Sequence, residues 1–387
     1  MDVVGLFVGI GGIEIGIDAA GNTPVRFCEV MPEARSVLTH NFPDLAINQD
    51  VRRMVKLPKA DILAAGFPCQ NLSIAGNKEG ISGKNSSLVN EIFRLIENNY
   101  RPRYVVIENV ANLITLHKGE ALKYITERFN KLGYNWAYRL VDPRSFGIPQ
   151  RRPRFVMVAS TEMHPKDILF PINEDIDAVI QEKPIGELSD AYGFYWTEGR
   201  LGIGWANNSI PPLKCGSTLG LPSAPAIWDV RNNFFGTPTI EDAERLQGFP
   251  ENWTLPIELD GFKRNQRWKL VGNAVNTRVS QWIGEVITNQ NIQLIPEDRI
   301  FEADLRKLPK AGFGYRDRIM GVRASEYPLG VHYTPILDFL NHPLIPLSQK
   351  ATIGFLNRTR QSTNVVYPEY FTNSILQYLR NQYGYEE

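Results

Sequence analysis

The stretch of this chain best suited to chemistry is Gly66-Phe67-Pro68-Cys69-Gln70-Asn71-Leu72-Ser73-Ile74-Ala75-Gly76. A thiol directly after a proline, opening a loop rich in Gly, Ser and Asn, is poor material for a buried structural cysteine. It suits a nucleophile held by a rigid turn and covered by a segment that can close. Four other stretches carry reactive or ligand-facing residue types: Phe7-Val8-Gly9-Ile10-Gly11-Gly12, Glu108-Asn109-Val110, Gln150-Arg151-Arg152-Pro153-Arg154 and Gly272-Asn273-Ala274-Val275. A glycine cluster between a strand and a helix lets a ligand come close to the backbone. The spacing here is not G-x-G-x-x-G, so a dinucleotide is not indicated. Glu29 and Asp50 stand at or near strand ends, where a carboxylate can accept hydrogen bonds from a ligand.

Short apolar runs alternating with helix-like segments position these residues over the first 160 positions. The pattern predicts strands at Val3–Phe7, Val25–Glu29, Asp61–Gly66, Tyr104–Glu108 and Arg154–Ala159, with helices at Ile13–Ala20, Ala34–Leu38 and Leu88–Ile96. Such alternation argues a mostly parallel sheet covered on both faces, with ligand sites beyond the carboxyl ends of its strands. Every motif above falls at such an end. From about residue 162 the pattern breaks into Pro, Gly, Asn and aromatics, including Trp196, Trp205 and Trp228, which suggests a smaller irregular domain. Regular structure returns at Glu241–Leu246 and Val279–Ile287.

With 387 residues the chain can hold two or three domains. Lys plus Arg and Asp plus Glu both number 42, so any nucleic-acid surface must come from local clustering of positive charge. Cys28, Cys69 and Cys215 are far apart and odd in number, which gives neither a zinc spacing nor a disulfide framework and fits a reducing, cytoplasmic setting. No signal peptide or membrane-spanning run is evident.

In their order, the five motifs resemble those of the cytosine-specific DNA methyltransferases that modify carbon 5 of the base, across roughly residues 1–290. The resemblance implies an α/β, Rossmann-like, S-adenosylmethionine-dependent methyltransferase domain with a small irregular target-recognition domain and a C-terminal extension. The expected boundaries are 1–165 for the catalytic and cofactor domain, completed by about 268–290, then 166–267 for target recognition and 291–387 for the extension. It further implies S-adenosyl-L-methionine as cofactor, S-adenosyl-L-homocysteine as product, and no metal. Phe7 would lie against the adenine, Glu29 would accept from the ribose hydroxyls and Asp50 from the adenine amino group. Gly9, Ile10, Gly11, Gly12, Val30, Val51, Pro68, Leu88, Asn273 and Val275 would complete the pocket. The family usually carries an acidic residue two positions before the phenylalanine; here that position is Gly5.

For catalysis, the resemblance makes Cys69 the nucleophile that attacks carbon 6 of a flipped cytosine, Glu108 the acid at ring nitrogen 3, and Arg152 and Arg154 the residues holding the base oxygen and Glu108. Gln70, Ser73, Ser87 and Thr218 would contact DNA, and Glu244–Pro250 would organise the recognition domain. The expected partner is duplex DNA, in a restriction–modification setting with a cognate endonuclease or in a phage-borne one, and the protein is expected to be monomeric. A transfer-RNA cytosine methyltransferase and a catalytically silent DNA-binding regulator on the same scaffold remain alternatives. For 291–387 two roles compete: a phosphate-contacting surface using Arg316, Arg318, Arg323, Arg358 and Arg360, or a cover in which Tyr367, Tyr370, Phe371 and Leu376 bury part of the catalytic domain.

Overall fold

The strands β1 (Asp2–Leu6), β2 (Thr23–Cys28), β3 (Ile47–Asn48), β4 (Ile62–Ala65) and β5 (Tyr104–Val110) pair in the order β3-β2-β1-β4-β5, all parallel. Val3, Val4, Ile62, Leu63, Val105 and Val106 are wholly buried, as expected of strands with neighbours on both sides. The computed structural model describes residues 1–68, 88–182, 189–216, 224–291, 294–304, 306–316, 318–363 and 365–386. Cys69, Gln70, Ser73, Ser87 and Thr218 lie outside the described residues.

Among the described residues the sheet has ten strands and is not mostly parallel. β6 (Asn135–Val141) and β7 (Arg154–Ser160) continue it in the order β5-β7-β6, antiparallel throughout. Strands Ala311–Tyr315, Arg318–Val322 and Ile300–Glu302 extend that antiparallel half outward from β6. No crossover helix separates β6 from β7, and without one a pair of neighbouring strands must run antiparallel. The consequence for the site is geometric. β7 starts at the edge where the parallel strands end, so Arg154 joins the strand-end motifs from the opposite chain direction.

Contacts divide the chain into two units. The first comprises Met1–Ser145, Pro153–Val179 and Val275–Val331; the second comprises Phe146–Arg152, Ile180–Ala274 and His332–Glu387. In the first, α3 (Leu88–Asn98) and α4 (Glu120–Lys131) bury Ile92, Phe93, Ile125 and Phe129 in one cluster with Leu63, Val105 and Ile107; α1 (Gly12–Ala19) and α2 (Pro32–Asn41) follow β1 and β2. The helix Thr277–Asn289 packs on α1 with very little separation, and glycines make that possible. A Cβ on Gly16 would strike the Thr277 carbonyl, and one on Gly284 would come within 2.7 Å of Ala20 Cβ.

The second unit is built on an antiparallel sheet that, among the described residues, has five strands in the order Ile345–Pro346, Phe234–Thr237, Ala226–Asp229, Ala191–Phe194, Ala206–Asn207. These strands have four residues or fewer, too few for alternation to register in a sequence rich in glycine and proline. Its aromatic core joins Phe194, Trp228 and Phe235 to Phe355, Phe371, Ile375, Tyr378 and Leu379 from the helices Gln349–Arg360 and Glu369–Tyr383.

Residues 291–387 are therefore not one extension. The part up to Val331 belongs with the large sheet, and the rest belongs with the second unit. The expected cover of the catalytic domain is corrected accordingly: Phe371 and Leu376 are buried in the second unit's own core, with Tyr367 packed against it and Tyr370 stacked on Trp228. Arg358 donates to the carbonyls of Glu198 and Trp196, and Arg318 pairs with Glu302. Among the described residues no helix is long and apolar enough to cross a membrane.

Candidate active site and cofactor pocket

The turn from β1 to α1 is tightly constrained. Phe7 has φ 58°, a left-handed conformation that disfavours any side chain with a Cβ, and Gly9 and Gly11 have φ 59° and 90°. A strained non-glycine residue persists only where its surroundings hold it. Here the Val8 N–H donates to the Cys28 carbonyl at 3.3 Å, the Gly9 N–H donates to Glu29 Oε2 at 2.7 Å, and the Gly11 N–H donates to the Val8 carbonyl at 3.0 Å. Gly12 is pressed against Val275, whose carbonyl a Cβ would strike. Ile10 is buried, as is Val51, while Val30 is 60 % exposed, an apolar side chain presented to solvent directly after Glu29.

Glu29 follows β2, and its second oxygen accepts from the Met31 N–H at 2.7 Å. Burial raises its pKa, opposed by the backbone N–H groups of Met31, Gly9 and Val30 and by the Arg35 guanidinium. Asp50 caps the 3-10 turn Val51–Arg53, accepting from the Arg52 N–H at 2.9 Å, and the Arg52 side chain holds its pKa below the usual carboxylate value. Both acids thus sit after adjacent parallel strands, oriented by backbone donors. The neighbouring Cys28 is inert: burial, with Glu29 and Asp50 nearby, pushes its thiol up to about 12.

The chemical residues gather at the ends of β4 and β5. In-register pairing of Ala65 with Ile107 sets Gly66 beside Glu108, whose Oε2 lies 3.7 Å from where a Gly66 Cβ would be. The Asn109 amide donates to the Phe67 carbonyl at 2.9 Å, which fixes the chain two residues before Cys69. Pro68 is exposed and Leu88, the first residue of α3, is half-buried. Glu108 pairs across with Val156, so Arg154, two residues earlier on β7, lies diagonally on the same face. Its Nε reaches Glu108 Oε1 at 3.3 Å, with the two side chains only 13 % and 9 % exposed.

Arg152 has different contacts. In the second unit its guanidinium donates to the carbonyls of Leu213 (2.7 Å), Gly272 (2.9 Å) and Ala274 (3.0 Å). Gln150 acts similarly, donating to the Leu246 carbonyl at 2.7 Å and accepting from the Leu213 N–H at 2.9 Å. Alternate residues of this run therefore tie loops together, and Arg154 reaches the carboxylate. Gly272–Ala274 lies between two helices: Asn265–Asn273 ends there, and the next begins at Thr277, with Asn276 accepting from the Arg278 N–H. Asn273 is exposed and belongs to the second unit, whereas Val275 lies at the glycine turn of the first. Glu244 is structural, bridged to Arg267 at 3.0 Å and bonded to Thr254 in a buried network. Reasoning from sequence missed Glu14, a wholly buried acid on α1. Its one signal was an acidic residue among the apolar positions of the helix after the glycines.

Comparison with known proteins agrees with this geometry. The family model for C-5 cytosine-specific DNA methylase matches residues 1–198. The chain is 46 % identical to Type II methyltransferase M2.BsuMI of Bacillus subtilis (strain 168) over 384 residues, covering 97 % of each protein. It is 30 % identical to Type II methyltransferase M.MspI of a Moraxella species, covering 74 % of this chain and 70 % of that one. In fold it is similar to S. pombe Dnmt2 methyltransferase, with a TM-score of 0.52 at 20 % identity, covering 76 % of this chain and 100 % of that one. The glycine turn, the strand-end acids and the Glu108–Arg154 pair thus sit in a chain that belongs to the C-5 cytosine-specific DNA methylase family.

Proposed function

We propose that this DNA (cytosine-5-)methyltransferase modifies cytosine within a specific duplex DNA sequence, as the methyltransferase of a Type II restriction–modification pair acting in the cytoplasm. The observation that carries the site assignment is the Glu108–Arg154 contact beside Gly66, the residue three positions before Cys69 in the neighbouring strand's chain. The relatives' names support the restriction–modification setting.

Carbon 5 of cytosine is a poor nucleophile. Bond formation between the Cys69 sulfur and carbon 6 shifts electron density onto the ring and makes carbon 5 an enamine carbon. A proton from Glu108 to ring nitrogen 3 would accept that density, and Arg154, anchored on Oε1, leaves the Oε2 side of the carboxyl facing Gly66. Once carbon 5 carries the methyl group, loss of its proton to solvent, return of the nitrogen 3 proton to Glu108 and departure of the thiolate restore the aromatic ring. A base stacked in a duplex cannot be attacked this way, so the cytosine must be extruded.

The residues present fit S-adenosylmethionine. Gly9 and Gly11 clear the backbone of side chains, Val30 offers an exposed apolar surface, and Glu29 and Asp50 supply acceptors after adjacent strands. When bound, the cofactor supplies an electrophilic methyl group. Arg152 is a positioning residue, organising Leu213 and Gly272–Ala274. Incubating the protein with methyl-labelled cofactor and either duplex DNA or transfer RNA, followed by bisulfite sequencing of a random DNA library, tests the reading. Label in one DNA sequence context supports it; label in transfer RNA alone refutes it.

A further inference from the structure

Glu14 lies in the first turn of α1 with no exposed surface. No other described residue donates a hydrogen bond to either carboxyl oxygen. Burial raises its pKa to about 8, opposed by its own backbone N–H, with Glu29 adding repulsion. An acid at such depth is costly unless a cation or donor meets it. Its position is informative. Gly5 is the penultimate residue of β1, and a Cβ there would collide with Glu14 Oε1 and approach Val8 Cγ2 to 2.7 Å. The carboxyl of Glu14 therefore occupies the space that a side chain at position 5 would fill, beneath the Phe7–Gly12 turn.

We infer that Glu14, delivered from α1 into the space left by Gly5, is the counter-ion for the ammonium group at the amino-acid end of S-adenosylmethionine. The inference rests on the cofactor reading above. That end of the molecule is its strong hydrogen-bond donor, with three N–H bonds and a positive charge, and the orphaned carboxyl is the acceptor of matching chemistry. The missing acid at position 5 is thus replaced by one nine residues later, and the glycine at 5 is what makes room for it.

Calorimetry with two ligands tests this: S-adenosylhomocysteine, which keeps the amino-acid end, and 5′-deoxy-5′-methylthioadenosine, which lacks it. Glu14→Gln, close in shape, should weaken S-adenosylhomocysteine about tenfold or more and leave the truncated ligand within about twofold. The exchange variant Gly5→Asp/Glu14→Ala should recover S-adenosylhomocysteine binding to within about threefold of wild type. Equal weakening of both ligands, or no weakening of either, would overturn the inference while leaving the cofactor reading intact. Failure of both ligands to bind the wild-type protein would overturn the cofactor reading and this inference with it.

Discussion

Glu108 and Arg154 meet through strand register: a diagonal across an antiparallel pair brings a guanidinium onto one carboxyl oxygen in a nearly dry setting. Removing the cation leaves the carboxyl without its anchor, so Arg154→Met should lower kcat by about a hundredfold, and Arg154→Lys should recover only part, because an ammonium lacks the planar fork. Folding should be intact by circular dichroism; a kcat within threefold of wild type would contradict the role. Glu108→Gln should also cut turnover by about a hundredfold and flatten the pH–rate profile, since an amide offers a hydrogen bond but no proton. Glu14 gives a prediction for stability. Its folded-state pKa of about 8 lies above the ordinary glutamate value of 4.5, so the folded protein holds a proton that the unfolded chain releases within that window. Stability from this group therefore falls as pH rises from about 4.5 to about 8. Glu29 shifts in the same direction but is common to both proteins compared. Urea unfolding should show Glu14→Gln gaining on wild type between pH 5 and pH 9; a constant difference would contradict the shift.

At the scale of elements, β1, β2, β4 and β5 were readable as apolar runs, and the ends of the last three located Glu29, Gly66 and Glu108, whereas β3, with two residues, is too short to register. β6 was not readable, because Arg139 interrupts its apolar pattern; in the fold that arginine is wholly buried and paired with Glu174. Without β6, the antiparallel turn of the sheet could not be foreseen. The contacts of Arg152 were equally hidden, since a run of arginines carries no mark of which ones face carbonyls. The α1–Thr277 helix contact depends on glycine, so Gly16→Ala should cost about 1–3 kcal/mol in denaturant unfolding. A stability equal to wild type would mean the helices can separate without loss.

At the scale of the molecule, the C-terminal residues complete the second unit. Phe371 is wholly buried among Phe194, Trp205, Trp228 and Phe355, so Phe371→Ala should destabilise that unit by about 3–5 kcal/mol. Its sheet was illegible because strands this short, interleaved with aromatics, gain their order only from a core assembled out of distant segments. The molecule's activity depends on whether the strand-end constellation makes Cys69 a nucleophile toward a flipped cytosine. The most direct measurement uses duplex DNA carrying 5-fluorocytosine at the target position, incubated with the protein and S-adenosylmethionine, followed by denaturing electrophoresis and peptide mapping. The fluorine cannot leave as a proton does, so a covalent protein–DNA complex should accumulate, linked at Cys69, and Cys69→Ala should form none while still binding DNA. Methyl transfer to unsubstituted DNA that persists in Cys69→Ala, or a complex linked at another residue, would contradict the account.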